Sequence, residues 1–213
     1  MARTARRVYP HHPHHVVQRG NRRQRVFFSP SDYRAYLAFA VEAFSEADVE
    51  VWGYCLMPNH VHLIAAPSDE GGLARAVSAT HARYTRLMNR REGWRGHLWQ
   101  ARFSSSPMDD GYLRHCLRYV AFNPVRAGLV SHPAQWPWSS TPAYLTTCAD
   151  PLLAIEPVVS RFGALTEAFF AHDAPSQAAR ALRGASTTGR PLGALEWLKR
   201  MAQGGDSHSP QGP

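Results

Sequence analysis

Two histidines separated by one residue, His60 and His62, are the first candidates for chemistry in this 213-residue sequence. The residues around them favour a β-strand, and on a strand residues i and i+2 point to the same face. Both imidazoles could therefore bind one metal ion. Alternating histidines also occur by chance on partly exposed strands, so a site needs a third ligand and a reactive group.

Tyr119 and Asn123 offer those two functions. They lie four residues apart at the end of a predicted helix and so share one helical face. Together with two imidazoles, the amide oxygen of Asn123 would leave positions on a Mg²⁺ or Mn²⁺ ion open for phosphate oxygens. The ordinary pKa of a phenol is about 10. A cation beside Tyr119 would stabilise the phenolate form, which is a nucleophile. The alternatives are a core tyrosine and an asparagine that only caps the helix.

A zinc site is the competing metal arrangement, built from His60, His62, His115 and a cysteine. The three cysteines match no Cys/His zinc spacing, and no C-x-x-C is present. Their odd number and wide separation also argue against a disulfide framework and favour a reducing cytoplasm.

A second histidine cluster lies near the N-terminus, at His11, His12, His14 and His15. It resembles a metal-binding tract. Two neighbouring prolines and nearby arginines favour a solvated segment instead, and we expect a flexible basic arm over residues 1–13.

The charge of the chain favours a polyanionic partner. Lys and Arg total 24 against 16 Asp and Glu, a net charge of +8, and all but one of the basic residues are arginine. Residues 1–148 hold 18 basic and 10 acidic residues, whereas residues 149–213 hold six of each. Arginine binds phosphate through two parallel hydrogen bonds and stacks on flat groups, which suits nucleic acid. A GC-rich genome would explain the preference for arginine over lysine, but not the net charge.

Six residues are candidates for DNA contacts: Arg19, Asn21, Arg22, Arg23, Trp99 and Arg102. The first four lie on a predicted hairpin loop, where Gly20 permits close approach. Trp99 and Arg102, together with Phe103, could stack on unpaired bases, as in proteins that bind single strands.

The predicted elements follow the order strand, strand, helix, strand, strand, helix, strand, helix. The strands are His14–Gln18, Val26–Phe28, Val49–Leu56, His60–Ala66 and Leu98–Ser104, and the helices are Tyr33–Ser45, Leu73–Arg91 and Asp109–Phe122. Strands joined by short turns, with helices inserted, favour an α+β fold with a central antiparallel sheet and helices on one face. We expect this domain over residues 14–145, a helical C-terminal extension over residues 146–202 and a disordered tail over residues 203–213. No transmembrane helix and no secretory signal are predicted.

Three separated motifs lie within this domain: GYCLMPNHVHL at residues 53–63, GHLWQARF at residues 96–103 and YVAFNPVRAGL at residues 119–129. They resemble the HUH single-tyrosine transposases, and most closely the branch associated with repetitive extragenic palindromes (REPs). QRGNRR at residues 18–23 and PWSS at residues 137–140 also match that branch. The resemblance covers about residues 14–145.

The resemblance implies a ferredoxin-like fold and a role for each candidate residue. His60 and His62 match the paired metal-binding histidines, Tyr119 the nucleophile and Asn123 a polar third ligand. The implied enzyme is a Mg²⁺- or Mn²⁺-dependent tyrosine transposase that cleaves and transfers single-stranded DNA beside hairpins through a 5′-phosphotyrosine. Its implied setting is the bacterial cytoplasm, associated with the nucleoid, as a monomer or homodimer without a membrane partner.

Two positions depart from the family pattern. Relatives often carry a histidine where Ala121 stands, and many carry a lysine where Ser104–Ser106 follow the second motif. The second departure would weaken DNA contacts, but neither removes a metal ligand or the nucleophile.

Two rival functions are compatible with the same residues. A DNA- or RNA-hairpin-binding module could keep the fold and the basic surface without catalysis. A nuclease of the same type could nick and rejoin DNA without transposition, because that difference lies in the flanking DNA.

Overall fold

The computed structural model describes residues 7–146 and 148–203, and its central feature is a four-stranded antiparallel sheet. In chain order the elements are β1 His14–Arg19, α1 Pro30–Glu46, β2 Val49–Met57, β3 His60–Pro67, α2 Gly72–Glu92, β4 Ser104–Pro107, α3 Asp110–Ala121, α4 Asn123–Arg126, α5 Thr141–Leu145, α6 Glu156–Phe162, α7 Ser176–Thr188 and α8 Leu195–Gln203, with 3₁₀ turns at Asn21–Arg23 and Pro133–Gln135. The sheet order is β2-β3-β1-β4. The order βαββαβ with this topology is the ferredoxin-like arrangement, so the predicted α+β class is confirmed.

Helices cover both faces of the sheet, which corrects the prediction of helices on one face. On β3, Val61, Leu63 and Ala65 enter the core beneath α1 and α2. Ile64 and Ala66 enter a second core with α3 and α7. The middle strands are apolar on both faces, and each face must therefore be shielded from water.

Two predicted strands differ in the structure. Val26–Phe28 forms no strand; the N–H groups of Val26 and Phe27 donate instead to the carbonyl of Pro58, while their side chains are buried. The last strand of the sheet is Ser104–Pro107 rather than Leu98–Ser104. In both cases an apolar run that is typical of a strand packs into the core as irregular chain. The position of β4 is determined by its pairing with β1.

The predicted arm and extension both contact the domain within the described residues. The N–H of His11 donates to the carbonyl of Pro67, and the Tyr9 hydroxyl donates to the carbonyl of Met201 in α8. Residues 7–13 are thus held between the sheet and the last helix. Residues 1–6 of the predicted arm and residues 204–213 of the predicted tail lie outside the described residues. Among the helices described, none is long and apolar enough to cross a membrane.

An ion pair between a buried carboxylate, Asp32, and the exposed Arg91 joins α1 to the end of α2. The Asp32 carboxylate accepts from the N–H groups of Phe28 and Ser29 and pairs with Arg91. Burial alone would raise the pKa of Asp32, but these hydrogen bonds, with Arg91 the largest, hold it below its ordinary value.

Asp32→Asn is expected to lower the free energy of unfolding at pH 7 by about 1–3 kcal/mol, because charged hydrogen bonds to a buried acceptor are lost. The depressed pKa means that the Asp32 contribution is complete above about pH 4 and is lost as pH falls through the lower folded-state value. Urea unfolding from pH 7 to pH 3 should show wild-type and variant stabilities converging in acid. A constant difference across that range would contradict the assignment.

Candidate active site

The register of the sheet brings His60 and His62 together on the face covered by α3. Arg19 of β1 pairs with His60, Val17 pairs with His62, and Cys55 of β2 lies opposite His62. Directly paired residues on antiparallel strands share a face, and the two imidazole centroids are 4.9 Å apart. The alternation predicted from the sequence therefore holds.

Tyr119 of α3 lies against His62 within the same chain. Its ring centroid is 5.9 Å from that of His62, at 87°. The guanidinium of Arg126 lies 4.4 Å from the Tyr119 ring centroid and donates to the Tyr119 carbonyl at 2.6 Å. A guanidinium nitrogen of Arg126 lies 2.5 Å from a carboxylate oxygen of Asp173, so the C-terminal extension holds the arginine that contacts Tyr119.

The hydrogen bonds of the two imidazoles leave the same atom free on each. Asn59 donates through Nδ2 to the carbonyl of Arg23, so its Oδ1 faces the Nδ1 of His60 at 2.6 Å. An amide oxygen can only accept, and His60 therefore carries its proton on Nδ1. The Nδ1 of His62 is engaged by another histidine, His15, at 2.9 Å. The described residues offer no hydrogen bond to either Nε2, and two neutral imidazole Nε2 atoms on one face fit a divalent metal ion.

Burial keeps these imidazoles neutral. It lowers the pKa of His60 to about 3, with a further contribution from the charge of Arg19. It lowers the pKa of His15 to about 4 and holds that of His62 well below its ordinary value. Neutral imidazole is the form that binds a metal, so metal binding at physiological pH does not require an imidazolium to lose a proton.

Asn123 follows the helix that carries Tyr119. Its amide nitrogen donates to the carbonyls of Tyr119 at 3.0 Å and Val120 at 3.3 Å. Within the described residues, no hydrogen bond joins it to either histidine. The structure thus gives Asn123 the capping contacts of the alternative interpretation, and these contacts use its amide nitrogen rather than Oδ1.

The competing zinc arrangement finds no support in the geometry. Within residues 7–146 and 148–203, no group of three or more His, Cys, Asp or Glu side chains is placed to hold a metal ion. Cys55 is buried and its thiol donates to the sulfur of Met57, and His115 contacts Tyr112. The described residues therefore do not form a zinc site from His60, His62, His115 and a cysteine.

The predicted hairpin loop is a compact basic turn beside the site. Arg22 and Arg23 are exposed and adopt left-handed φ values of 52° and 61°. Such values cost energy for residues other than glycine and concentrate at functional positions. A Cβ on Gly20 would lie 2.4 Å from the carbonyl oxygen of Gln24, so only glycine allows the turn to close. Arg19 is partly buried and faces His60, whereas Asn21 is exposed.

Trp99 lies in the core, which argues against its predicted role in stacking on bases. It is 8% exposed and stacks on His81 at 4.2 Å and 18°. Arg102 is exposed, and together with Arg86 and an edge of Trp99 it lines a groove of about 520 Å³. An exposed aromatic pair does exist elsewhere: Phe28 and Trp94 are each 45% exposed, with ring centroids 5.8 Å apart.

Three residues at the site were missed by sequence reasoning: His15, Asn59 and Arg126. His15 was assigned to a solvated histidine tract, yet it is 1% exposed on β1. The signal that could have found it is its position in a predicted strand two residues from Val17, on the face that bears the histidine pair. Asn59 lies in the motif at residues 53–63 and Arg126 in the motif at residues 119–129, but no spacing rule predicts their partners.

The fold and site define a class of protein: a ferredoxin-like α+β domain in which a helical tyrosine faces a pair of strand histidines. A family model described as "Transposase IS200 like" matches residues 8–123, more than half of the chain. The chain belongs to the IS200-like transposase family.

Individual relatives agree with this assignment. A protein of Haemophilus influenzae named as a REP-associated tyrosine transposase is 29% identical over 102 residues, covering 43% of this chain and 58% of the relative. The match thus spans less than two thirds of that relative. A solved REP-associated tyrosine transposase bound to a REP hairpin is 20% identical, with a TM-score of 0.54, over 67% of this chain and 84% of that one. At this identity the likeness shows a shared fold.

Proposed function

We propose that this protein is a metal-dependent tyrosine transposase that cleaves and rejoins single-stranded DNA beside hairpins. The observation that carries the proposal is Tyr119 packed against His62, whose ring lies beside that of His60, with no hydrogen bond to either histidine's Nε2 among the described residues. Membership of a transposase family and the hairpin named in the solved relative support the substrate class.

The chemistry follows from the residues present. His60 and His62 would hold a Mg²⁺ or Mn²⁺ ion, with Asn123 as a further oxygen ligand. When bound, such an ion polarises the scissile phosphate. The Tyr119 oxygen attacks phosphorus, forming a 5′-phosphotyrosine and breaking the bond to the 3′ oxygen, which leaves as a hydroxyl after taking up a proton. Attack by a DNA 3′-hydroxyl reverses the step without an external energy source, since the bond energy is kept in the covalent link.

Arg126 and Arg19 prepare the nucleophile in this proposal. Arg126 lies over the Tyr119 ring and, tied to Asp173, restricts its orientation. Arg19 pairs with His60 across β1 and β3 and is partly buried, so its charge lies on the face of the sheet that Tyr119 covers.

The basic turn beside the site would bind the DNA backbone. Arg22 and Arg23 are exposed next to the histidine face, and the Phe28–Trp94 pair offers an aromatic surface for unpaired bases that Trp99 does not.

Replacing both Arg22 and Arg23 by alanine is expected to weaken binding to a hairpin with single-stranded flanks. Each lost contact to a single-strand phosphate should reduce the slope of log affinity against log salt by about 0.7. Fluorescence anisotropy over a salt series measures both quantities, with Arg180→Ala in the C-terminal extension as an exposed-arginine control. An unchanged slope in the double variant would remove these arginines from the DNA interface.

The alternative is a hairpin-binding module without catalysis, which would use the same basic surface. The deciding experiment incubates the protein with labelled single-stranded hairpin DNA from palindromes near its gene, in Mn²⁺ or in EDTA. A covalent protein–DNA adduct that requires the metal supports the transposase. Tight binding without an adduct in either condition would favour the module.

A further inference from the structure

His15 makes a contact with the histidine pair that the proposed chemistry has not used. Its Nε2 lies 2.9 Å from the Nδ1 of His62, and the two rings are stacked with centroids 5.1 Å apart at 8°. Both side chains are buried. The contact is diagonal across β1 and β3, since His15 pairs directly with Ile64 and His62 with Val17.

A single proton lies between these two nitrogens, and its position decides what His62 can do. If His15 Nε2 donates, His62 carries its own proton on Nε2 and has no lone pair there. If His62 Nδ1 donates, its Nε2 is a free lone pair that can bind a metal. Only the second arrangement matches that of His60, whose Nδ1 proton is fixed by Asn59.

The other nitrogen of His15, Nδ1, is buried and makes no hydrogen bond within the described residues. Buried polar atoms without partners are rare and unfavourable, so packing alone would be better served by an apolar side chain. Among the described residues, the hydrogen-bonding contact of the ring is with His62, and its edge contact is with Tyr119 at 5.9 Å.

We propose that His15 is a positioning residue whose Nε2 accepts a hydrogen bond from the Nδ1–H of His62 and thereby directs Nε2 of His62 to a divalent metal ion. The inference rests on the proposed function, because it assumes a metal at the histidine pair. Asn59 has the corresponding position toward His60. Hydrogen-bond partners of this kind orient a ligating imidazole and raise its basicity.

Substitutions at His15 distinguish its role as a hydrogen-bond acceptor for His62 from its role in packing. His15→Leu fills the space without an acceptor and is expected to weaken Mn²⁺ binding about 10- to 100-fold. His15→Gln presents an amide oxygen and should restore affinity close to the wild-type value. His14→Gln is the matched control, because His14 is equally buried on the same strand but pairs with Ala65 on the opposite face. Electron paramagnetic resonance of free Mn²⁺ measures the affinity without DNA, and thermal melting verifies folding.

A metal-free measurement keeps this inference separate from the proposed function. Side-chain ¹⁵N chemical shifts report which ring nitrogen of His62 carries the proton. In metal-free buffer, we expect this proton on Nδ1 in the wild type and in His15→Gln. His15→Leu should lose that preference. If His15→Leu keeps both the tautomer and the Mn²⁺ affinity while His62→Ala loses Mn²⁺, His15 only packs and the inference is overturned. If wild-type protein binds no Mn²⁺, the metal site itself is contradicted, and the inference with it.

Discussion

Tyr119→Phe is expected to form no covalent adduct with hairpin DNA while still binding it. The substitution removes one oxygen and leaves the ring beneath Arg126 and against His62. We expect none of the described residues to take over, because the proposed nucleophile must lie beside the proposed metal ligands and in line with the scissile phosphate. The measurement is the labelled adduct on a denaturing gel with Mn²⁺ present, alongside the affinity for the same DNA.

The structure supplies the controls for this prediction. Tyr112→Phe changes a tyrosine on the same helix that contacts His115 instead of the site, and it should form the adduct at the wild-type rate. No hydrogen bond to the Tyr119 hydroxyl is formed by the described residues, so stability should change by less than about 1 kcal/mol, or 2–4 °C in Tm. An adduct formed by Tyr119→Phe would show that another side chain is the nucleophile.

The placement of the histidine pair could be predicted from sequence because its geometry is local. The two-residue repeat of a strand puts His60 and His62 on one face whatever the sheet looks like. Tyr119 needed only an amphipathic helix, and the motifs around it suggested its role. These are short-range rules, and the structure agrees with each of them.

Other parts of the site depend on pairing between distant segments. His15 meets His62 across 47 residues of chain, and its role follows from the β1–β3 register rather than from its neighbours in sequence. Arg126 is held in place by an ion pair with Asp173, which lies in a C-terminal extension whose sequence shows weak patterning. The predicted base-stacking role of Trp99 has a related explanation. Aromatic residues in a basic segment suit base stacking, but the ring of Trp99 packs in the core against His81.

The same limit explains the strand errors. Val26–Phe28 is apolar and β-favouring, yet the side chains of Val26 and Phe27 fill the space beneath α1 and α2 while their N–H groups donate to the carbonyl of Pro58. A serine-rich segment became β4 because β1 offered an unpaired edge. Tertiary packing overrides local propensity most easily in short segments.

His62→Ala is expected to reduce metal-dependent adduct formation at least about 100-fold, since losing a ligand should cost more than losing a group that only orients one. His60→Ala should act in the same direction. His62 lies deeper in the site, with Cys55, Val17 and Tyr119 around it. The assay belongs at pH 7.5, where burial keeps the wild-type imidazoles neutral.

Metal titration distinguishes the loss of a ligand from the loss of structure. If His62 binds the ion, raising Mn²⁺ should recover part of the adduct in His62→Ala, because the remaining ligands still bind weakly and mass action compensates. A misfolded variant would not respond, and its melting temperature would have fallen. His14→Gln, buried on the opposite face, should need no more Mn²⁺ than wild type. Equal Mn²⁺ requirements for His62→Ala and wild type would place the metal elsewhere, and would leave the stacked histidines of β1 and β3 as a packing device.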